Sequence, residues 1–239
     1  MPEQPEAKGN GPLSGAVGPA VKPQAGYVNN SSAATGSSQE RVRVYVDGFN
    51  LYYGLHEQAG RKLLWLDLQD LSQSMLKPNQ VLAGVHYFTA RRRNNIQSQA
   101  NQAVYLNALR ARGVDVIEGR FQEKSVTCRG CGHQIRSYEE KESDVSFCVR
   151  LLEDAVQRRF DVALLVTADS DMVPAVQAVK RQAPSARLIG LFPPKRNSAE
   201  LRKHLHATMK LGLSKIRGAQ LPDPLVDGTQ TFHRPTYWV

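Results

Sequence analysis

The chain has 239 residues, with 31 Lys and Arg against 22 Asp and Glu and only 3 Cys. That length supports one sizeable core rather than two full enzyme domains, and a sparse, odd set of cysteines excludes the disulfide framework of a small secreted protein. The excess charge of +9 lies between residues 40 and 216, because Lys8 and Lys22 cancel Glu3 and Glu6, and Arg217 and Arg234 cancel Asp223 and Asp227. A domain so charged attracts phosphate backbones, anionic lipid or acidic protein.

Residues 1–39 are rich in Pro, Gly, Ser and Asn and hold too little apolar surface to offset the entropy of ordering, so a disordered tail is expected. No basic segment with an apolar signal core opens the chain, and no run approaches the ~20 apolar residues that span a bilayer. A soluble, cytoplasmic protein with no membrane partner is expected. Order is predicted from Arg41, where Val42, Val44 and Val46 form a β-branched run ending at Asp47 and Gly48. Leu63 to Met75 suits a short helix. A second strand covers Val81 to Thr89 and is followed by Arg91, Arg92 and Arg93. From Ile96 to Arg112, Ala103, Leu106 and Leu109 recur at helical spacing.

A third strand, Val114 to Ile117, leads into a projecting hairpin from Phe121 to Tyr138 that carries Cys128-Arg-Gly-Cys131-Gly-His133. The next helix, Asp144 to Arg159, is read from Val145, Cys148, Val149, Leu152 and Val156, with Cys148 in a small buried role. Strands over Val162 to Thr167 and Arg187 to Leu191 follow, the second leading to Lys195 and Arg196. Residues 217–239 form a C-terminal tail whose Phe232, Tyr237 and Trp238 favour packing on the domain or on a neighbour.

Strand alternating with helix predicts an α/β fold with a mainly parallel sheet covered on both faces. Such sheets bind ligands beyond the carboxyl ends of their strands. Asp47 and Asp169 stand at two of those ends, Asp171 lies in the turn after the second, and Asp144 opens a helix that can start from the same rim. Pro174 suits the first turn of the helix after Asp171. Singly, each aspartate is equally well a helix cap. Together, carboxylates on one rim repel and raise each other's pKa unless a cation lies between them.

Oxygen donors without histidine favour Mg²⁺ or Mn²⁺ over zinc, and such an ion activates a water for attack on phosphorus. Asp47, Asp169 and Asp171 are the expected ligands, and Asp144 is either a fourth ligand or the base that orients the water. Asn50 can donate to the scissile phosphate, and Thr167 or Ser170 can steady the carboxylates. Arg91, Arg92, Arg93, Lys195 and Arg196 are candidate phosphate contacts, with ordinary solvated loops the equal alternative. Cys128, Cys131 and His133 are candidate ligands for a structural Zn²⁺, which needs four. A partner subunit in a homodimer is one way to complete that set.

Three segments carry a family resemblance: Val44-Tyr-Val-Asp47-Gly-Phe-Asn50-Leu-Tyr, Glu140-Lys-Glu-Ser-Asp144-Val, and Ala163-Leu-Leu-Val-Thr167-Ala-Asp169-Ser-Asp171-Met-Val-Pro174. In order and spacing they resemble the NYN domain, of the LabA-like group within the PIN-like nucleases. The resemblance implies a Rossmann-like α/β/α sandwich over residues 40–216, whose Asp47, Asp144, Asp169 and Asp171, with Asn50 beside them, hold Mg²⁺ or Mn²⁺ for RNA cleavage. Ala168 departs from the glycine that the family often has before its Asp-Ser-Asp run. Similar Cys-x-x-Cys hairpins occur in this subgroup.

The implied protein is a bacterial endoribonuclease acting on single-stranded RNA. Two other readings stand beside it. One is an NADH-dependent hydroxylase of an N-heterocycle, an activity attached to a bacterial relative in the group. No Gly-x-Gly-x-x-Gly turn follows any strand to favour a dinucleotide. The other is a non-catalytic RNA-binding regulatory module.

Overall fold

The computed structural model describes residues 39–91, 95–127, 130–132 and 134–238. The expected disordered tail therefore lies almost wholly outside the described residues. The first strand, β1 (Glu40–Asp47), is followed by α1 (Gly48–Ala59), α2 (Leu68–Ser74), β2 (Gln80–Ala90), α3 (Ile96–Ala111) and β3 (Asp115–Thr127). Then come β4 (Gln134–Lys141), α4 (Ser143–Val156), β5 (Val162–Val166), α5 (Val173–Gln182) and β6 (Arg187–Phe192). The chain continues through α6 (Ala199–His204), β7 (Ala207–Lys210), α7 (Leu213–Gly218) and a short pair, β8 (Leu225–Asp227) and β9 (Gln230–Phe232).

Alternation along β1 explains the layers. Val42, Val44 and Val46 pack on one face with Leu51 and Leu55 of α1, Leu68 and Leu71 of α2, Leu106 and Leu109 of α3, and Ile216 of α7. Tyr45, between them, points the other way and meets Phe147 and Leu151 of α4, Val176 and Val179 of α5, and Leu201 of α6. A period of two on the strand thus builds an α/β/α sandwich.

The strands lie in the order β4-β3-β2-β1-β5-β6-β7. All neighbouring pairs are parallel except β3 with β4, which run antiparallel from Arg120↔Lys141 to Thr127↔Gln134. From β1 the chain winds outward through β2 and β3, then crosses back to β5 and winds outward on the other side. The order reverses between β1 and β5, which opens a crevice at their carboxyl ends.

Two expectations change. The third strand runs to Thr127, well past Ile117, because the hairpin arm continues the sheet. On α4 the buried face is Phe147, Leu151 and Ala155, while Val145, Val149 and Val156, which the spacing assigns to the apolar face, are 64%, 53% and 59% exposed. Both stripes have helical spacing, and the one carrying the two large side chains faces the sheet.

The last residues pack against the first helical layer: Trp65 Nε1 donates to Pro222 O at 3.1 Å, and Trp238 lies edge-on to Trp65 and Tyr105. Among the described residues no helix is long and apolar enough to cross a membrane.

Candidate active site

The β1-to-α1 turn is built around Asp47. Its side chain caps α1 by accepting from Asn50 N at 3.0 Å, satisfying one of the N–H groups that a helix leaves unpaired. Gly48 is required here, because a Cβ would lie 2.6 Å from Phe88 O and 2.8 Å from the Tyr87 ring. Without a side chain the turn closes onto β2, and Asp47 is left facing β5.

Across the crevice, Thr167 Oγ1 donates to Asp47 Oδ2 at 2.9 Å and accepts from Asp169 N at 3.1 Å. Asn50 Oδ1 accepts from Ala168 N at 3.1 Å. Asp169 Oδ1 accepts from Asp171 N at 3.0 Å and caps the short 3₁₀ turn before α5, where Pro174 stands in the first turn as expected. Both halves of the sheet are therefore stitched together at the switch point by the residues singled out in the sequence.

Asp144 reaches this rim from α4. The helix begins there because Gly119 of β3 allows the β4–α4 junction to approach closely: a Cβ at Gly119 would lie 2.6 Å from Lys141 O. Glu142 takes a left-handed φ of 80° at the junction, and Arg120 Nε lies 2.6 Å from Glu142 Oε1.

The electrostatics single out Asp47. It is 8% exposed, and burial pushes its carboxyl up to about 6, with Asp144 and Asp169 adding repulsion that the hydrogen bonds from Asn50 and Thr167 only partly oppose. Asp144 is raised first by burial, then by the charges of Asp169 and Asp171. Four carboxylates thus act on one another. Among the described residues, however, no three His, Cys, Asp or Glu side chains stand close enough to hold an ion as a finished cage.

The donor chemistry fits a hard dication: carboxylates and an amide, mutually repelling, with no imidazole. Asp144 and Asp171 are exposed and so have rotamers open to them. Cys148 is half-buried beside the cluster, its Sγ 3.6 Å from Met172 Sδ. Burial and then the three charges of Asp144, Asp169 and Asp171 push its thiol up, which suits packing and not nucleophilic chemistry.

The basic candidates divide. Arg91 is held by Glu118, which also pairs with Arg110 at 2.5 Å, and Arg196 is held by Glu57. Lys195 is exposed in the turn after β6. Arg92 and Arg93 lie outside the described residues. So do Cys128 and His133, while Cys131 is exposed.

Sequence reasoning missed a second polar cluster beneath α4. Asp154 is fully buried and accepts from Arg43 Nη1 at 2.8 Å and Tyr45 Oη at 2.7 Å. His86 Nδ1 lies 3.0 Å from Asp115 Oδ2, and its Nε2 lies 3.2 Å from Arg43 Nη1. Arg150 Nη2 donates to Asp115 at 2.7 Å. The available signal was a carboxylate on the same helical stripe as Phe147 and Leu151.

A family model for the NYN domain matches residues 41–211, which include all four aspartates and Asn50. A protein of Pseudomonas putida (strain DSM 28022 / S16), 6-hydroxy-3-succinoylpyridine 3-monooxygenase HspA, is 26% identical over 239 residues, covering 83% of this chain and 75% of that one. A solved structure of a protein of unknown function from Vibrio parahaemolyticus RIMD 2210633 aligns with 73% of this chain and 94% of its own, at 17% identity and a TM-score of 0.50. That likeness is one of fold. With the sandwich, the acidic rim and a family match across most of its length, the chain belongs to the NYN domain family, within the PIN-like nuclease superfamily.

Proposed function

We propose that this protein is a divalent-metal-dependent ribonuclease that hydrolyses phosphodiesters of single-stranded RNA at the β1/β5 crevice. The observation that carries the reading is Asp47: a buried carboxylate at the switch point, under repulsion from Asp144 and Asp169. Such a group gains most from a bound cation.

Asp47, Asp169 and Asp171 would hold Mg²⁺ or Mn²⁺, with Asp144 as a further ligand or as the base toward the attacking water. The ion supplies a Lewis acid that makes water nucleophilic near neutral pH and offsets charge on the phosphoryl oxygens. Thr167 fixes the Asp47 carboxylate and the Asp169 backbone at once. With Asn50 Oδ1 engaged by Ala168 N–H, its Nδ2 is the end that would donate to a phosphate oxygen. Cleavage of labelled single-stranded RNA in Mn²⁺ is the test: wild type cleaves, and Asp47→Asn and Asp169→Asn do not. Full cleavage by either variant removes the reading.

A structural Zn²⁺ at Cys128, Cys131 and His133 belongs to the same proposal, and zinc absent after refilling metal-free protein dismisses it. A second reading is favoured by the 26% identical relative, whose name assigns it a monooxygenase activity. On that reading the chain hydroxylates a pyridine with O₂ and NADH, one oxygen atom entering the ring and the other leaving as water, although the β1–α1 turn offers the single Gly48 where a dinucleotide pyrophosphate wants several. Oxidation of NADH that depends on 6-hydroxy-3-succinoylpyridine would establish it; no oxidation would discard it.

A further inference from the structure

A cleft of about 110 Å³ opens beside Gly48 and Phe49, the two residues that follow Asp47. Cavities of roughly 150 Å³ take up a benzene-sized ring, so this one, open on one side, suits a single ring. Its walls are aromatic: Tyr52 of α1, Tyr87 of β2, Tyr105 of α3 and Trp238. Flat faces of this kind bind flat ligands by stacking.

The lining is also polar where α3 meets the end of β2. Thr89 is 2% exposed and Asn101 8% exposed, and Gln102 Nε2 lies 3.0 Å from Ala90 O and 3.5 Å from Thr89 Oγ1. Hydroxyl and carboxamide groups both donate and accept, which matches a ring with its own donor and acceptor, as in a pyrimidine or a hydroxypyridine, and not a hydrocarbon. Among the described residues, exposed Arg61 is the one charged residue of the lining. Its guanidinium sits 5.2 Å from the centre of the Tyr237 ring, and Tyr237 in turn hydrogen-bonds Asn101.

We infer that this cleft is a binding site for one planar nitrogen heteroaromatic ring bearing an anionic group, with Tyr237 and Trp238 as its outer wall and Arg61 facing the anion. The ring so held would lie against Gly48 and Phe49, the two residues that follow Asp47 in the chain. The ring is supplied either as a base of a nucleotide chain or as a free substituted pyridine. Ring binding stands whether the chemistry at Asp47 is hydrolysis or hydroxylation.

The full chain contains two tryptophans, Trp65 and Trp238, with ring centres 6.5 Å apart. Their fluorescence therefore reports the cleft. Full-length protein in chelator is titrated with uridine monophosphate, with hydroxynicotinate, and with ribose phosphate as the ringless control. Saturable quenching by the nucleotide alone assigns a nucleobase, by hydroxynicotinate alone a free heterocycle, and by both the shared chemistry.

Quenching by neither, or equally by ribose phosphate, overturns the site. Ser98→Phe, on the half-buried lining of α3, should weaken binding by about tenfold or more by filling the cleft. Arg61→Gln, at an exposed position, should weaken uridine monophosphate several-fold and leave uridine unchanged. Unchanged affinity in both variants also overturns the proposal. No step of this experiment needs metal or turnover, so its failure is separable from that of the nuclease reading.

Discussion

Asp47 and Asp154 are buried carboxylates that both contact residues at the centre of the sheet, yet they sit in opposite electrostatic surroundings. Asp154 lies among partners: Arg43, Tyr45 and Arg159 donate to it at 2.8, 2.7 and 3.2 Å. Burial alone would raise its pKa, but the hydrogen bonds from Tyr45 and Arg43 and the charge of Arg43 hold it below the usual carboxylate range. Burial lowers the pKa of His86, which favours the neutral ring. Its Nδ1–H then donates to Asp115, and its Nε2 accepts from Arg43. Asp47 has two hydrogen bonds and two repelling neighbours. One carboxylate is completed by the fold and the other is left short of a counter-charge, the usual mark of a functional position.

The sharpest way to break this contrast is a pair of substitutions. Asp47→Asn should lower RNA cleavage by on the order of a hundredfold or more, since even outer-shell partners of a metal are worth about 10–100-fold. Asp154→Asn should leave cleavage per folded molecule within about twofold, because no metal donor has been touched. Equal loss in both would make the two clusters a single unit.

Stability should sort them the other way. Asp154→Ala leaves half-buried Arg43 and buried Tyr45 without their acceptor, at a cost of about 3–5 kcal/mol. For a chain of this size that lowers the melting temperature by roughly 10 °C. In chelator, Asp47→Asn should instead melt no lower than wild type, since the amide keeps an acceptor for Asn50 N–H and no longer buries a charge. A large fall in melting temperature would show that Asp47 is structural.

The next effect is in pH. The folded-state pKa of Asp47 is about 6 against an ordinary value of 3.8, so between those values the folded chain binds a proton that the unfolded chain has released. Its contribution is therefore full below about pH 4 and lost as pH rises through about 6, an effect of at most about 3 kcal/mol. The depressed Asp154 has the opposite sign: its contribution is present above the unfolded carboxylate range and lost as pH falls through its lower folded value. Metal-free Asp47→Asn should lack the decline between pH 4 and 6 while keeping the acid limb. Mn²⁺ should abolish the same decline in wild type.

The same contrast separates what is legible in the sequence from what is not. Asp47, Asp169 and Asp171 follow apolar runs at strand ends, where local pattern and topology agree, so the rim can be read from the chain alone. Asp154 cannot, because its partners other than Arg159 lie on β1 and β2 more than sixty residues away in sequence, and only packing brings Arg43, Tyr45 and His86 beneath α4. The face of α4 is ambiguous for a related reason: Val145, Val149 and Val156 have the same period as Phe147, Leu151 and Ala155. Periodicity gives a stripe, and only volume against the sheet chooses between two of them. Trp238 closes the cleft through contacts with Trp65 and Tyr105 that no local pattern foretells.

The smallest effects concern the basic residues, and here the distinction between satisfied and unsatisfied charge applies again on the surface. Arg91 is tied to Glu118, with its side chain 63% exposed, and an exposed pair adds about 0–1 kcal/mol to stability. Arg91→Gln should leave the melting temperature unchanged and alter RNA affinity little, because a phosphate must compete with a carboxylate already in place. Lys195, exposed beyond the carboxyl end of β6, has no carboxylate partner among the described residues. If it contacts one phosphate of a single strand, Lys195→Gln should flatten the dependence of log affinity on log salt by about 0.7. An equal flattening in Arg91→Gln would mean that RNA displaces Glu118, and that the rim gathers phosphate contacts by breaking ion pairs rather than by keeping cations in reserve.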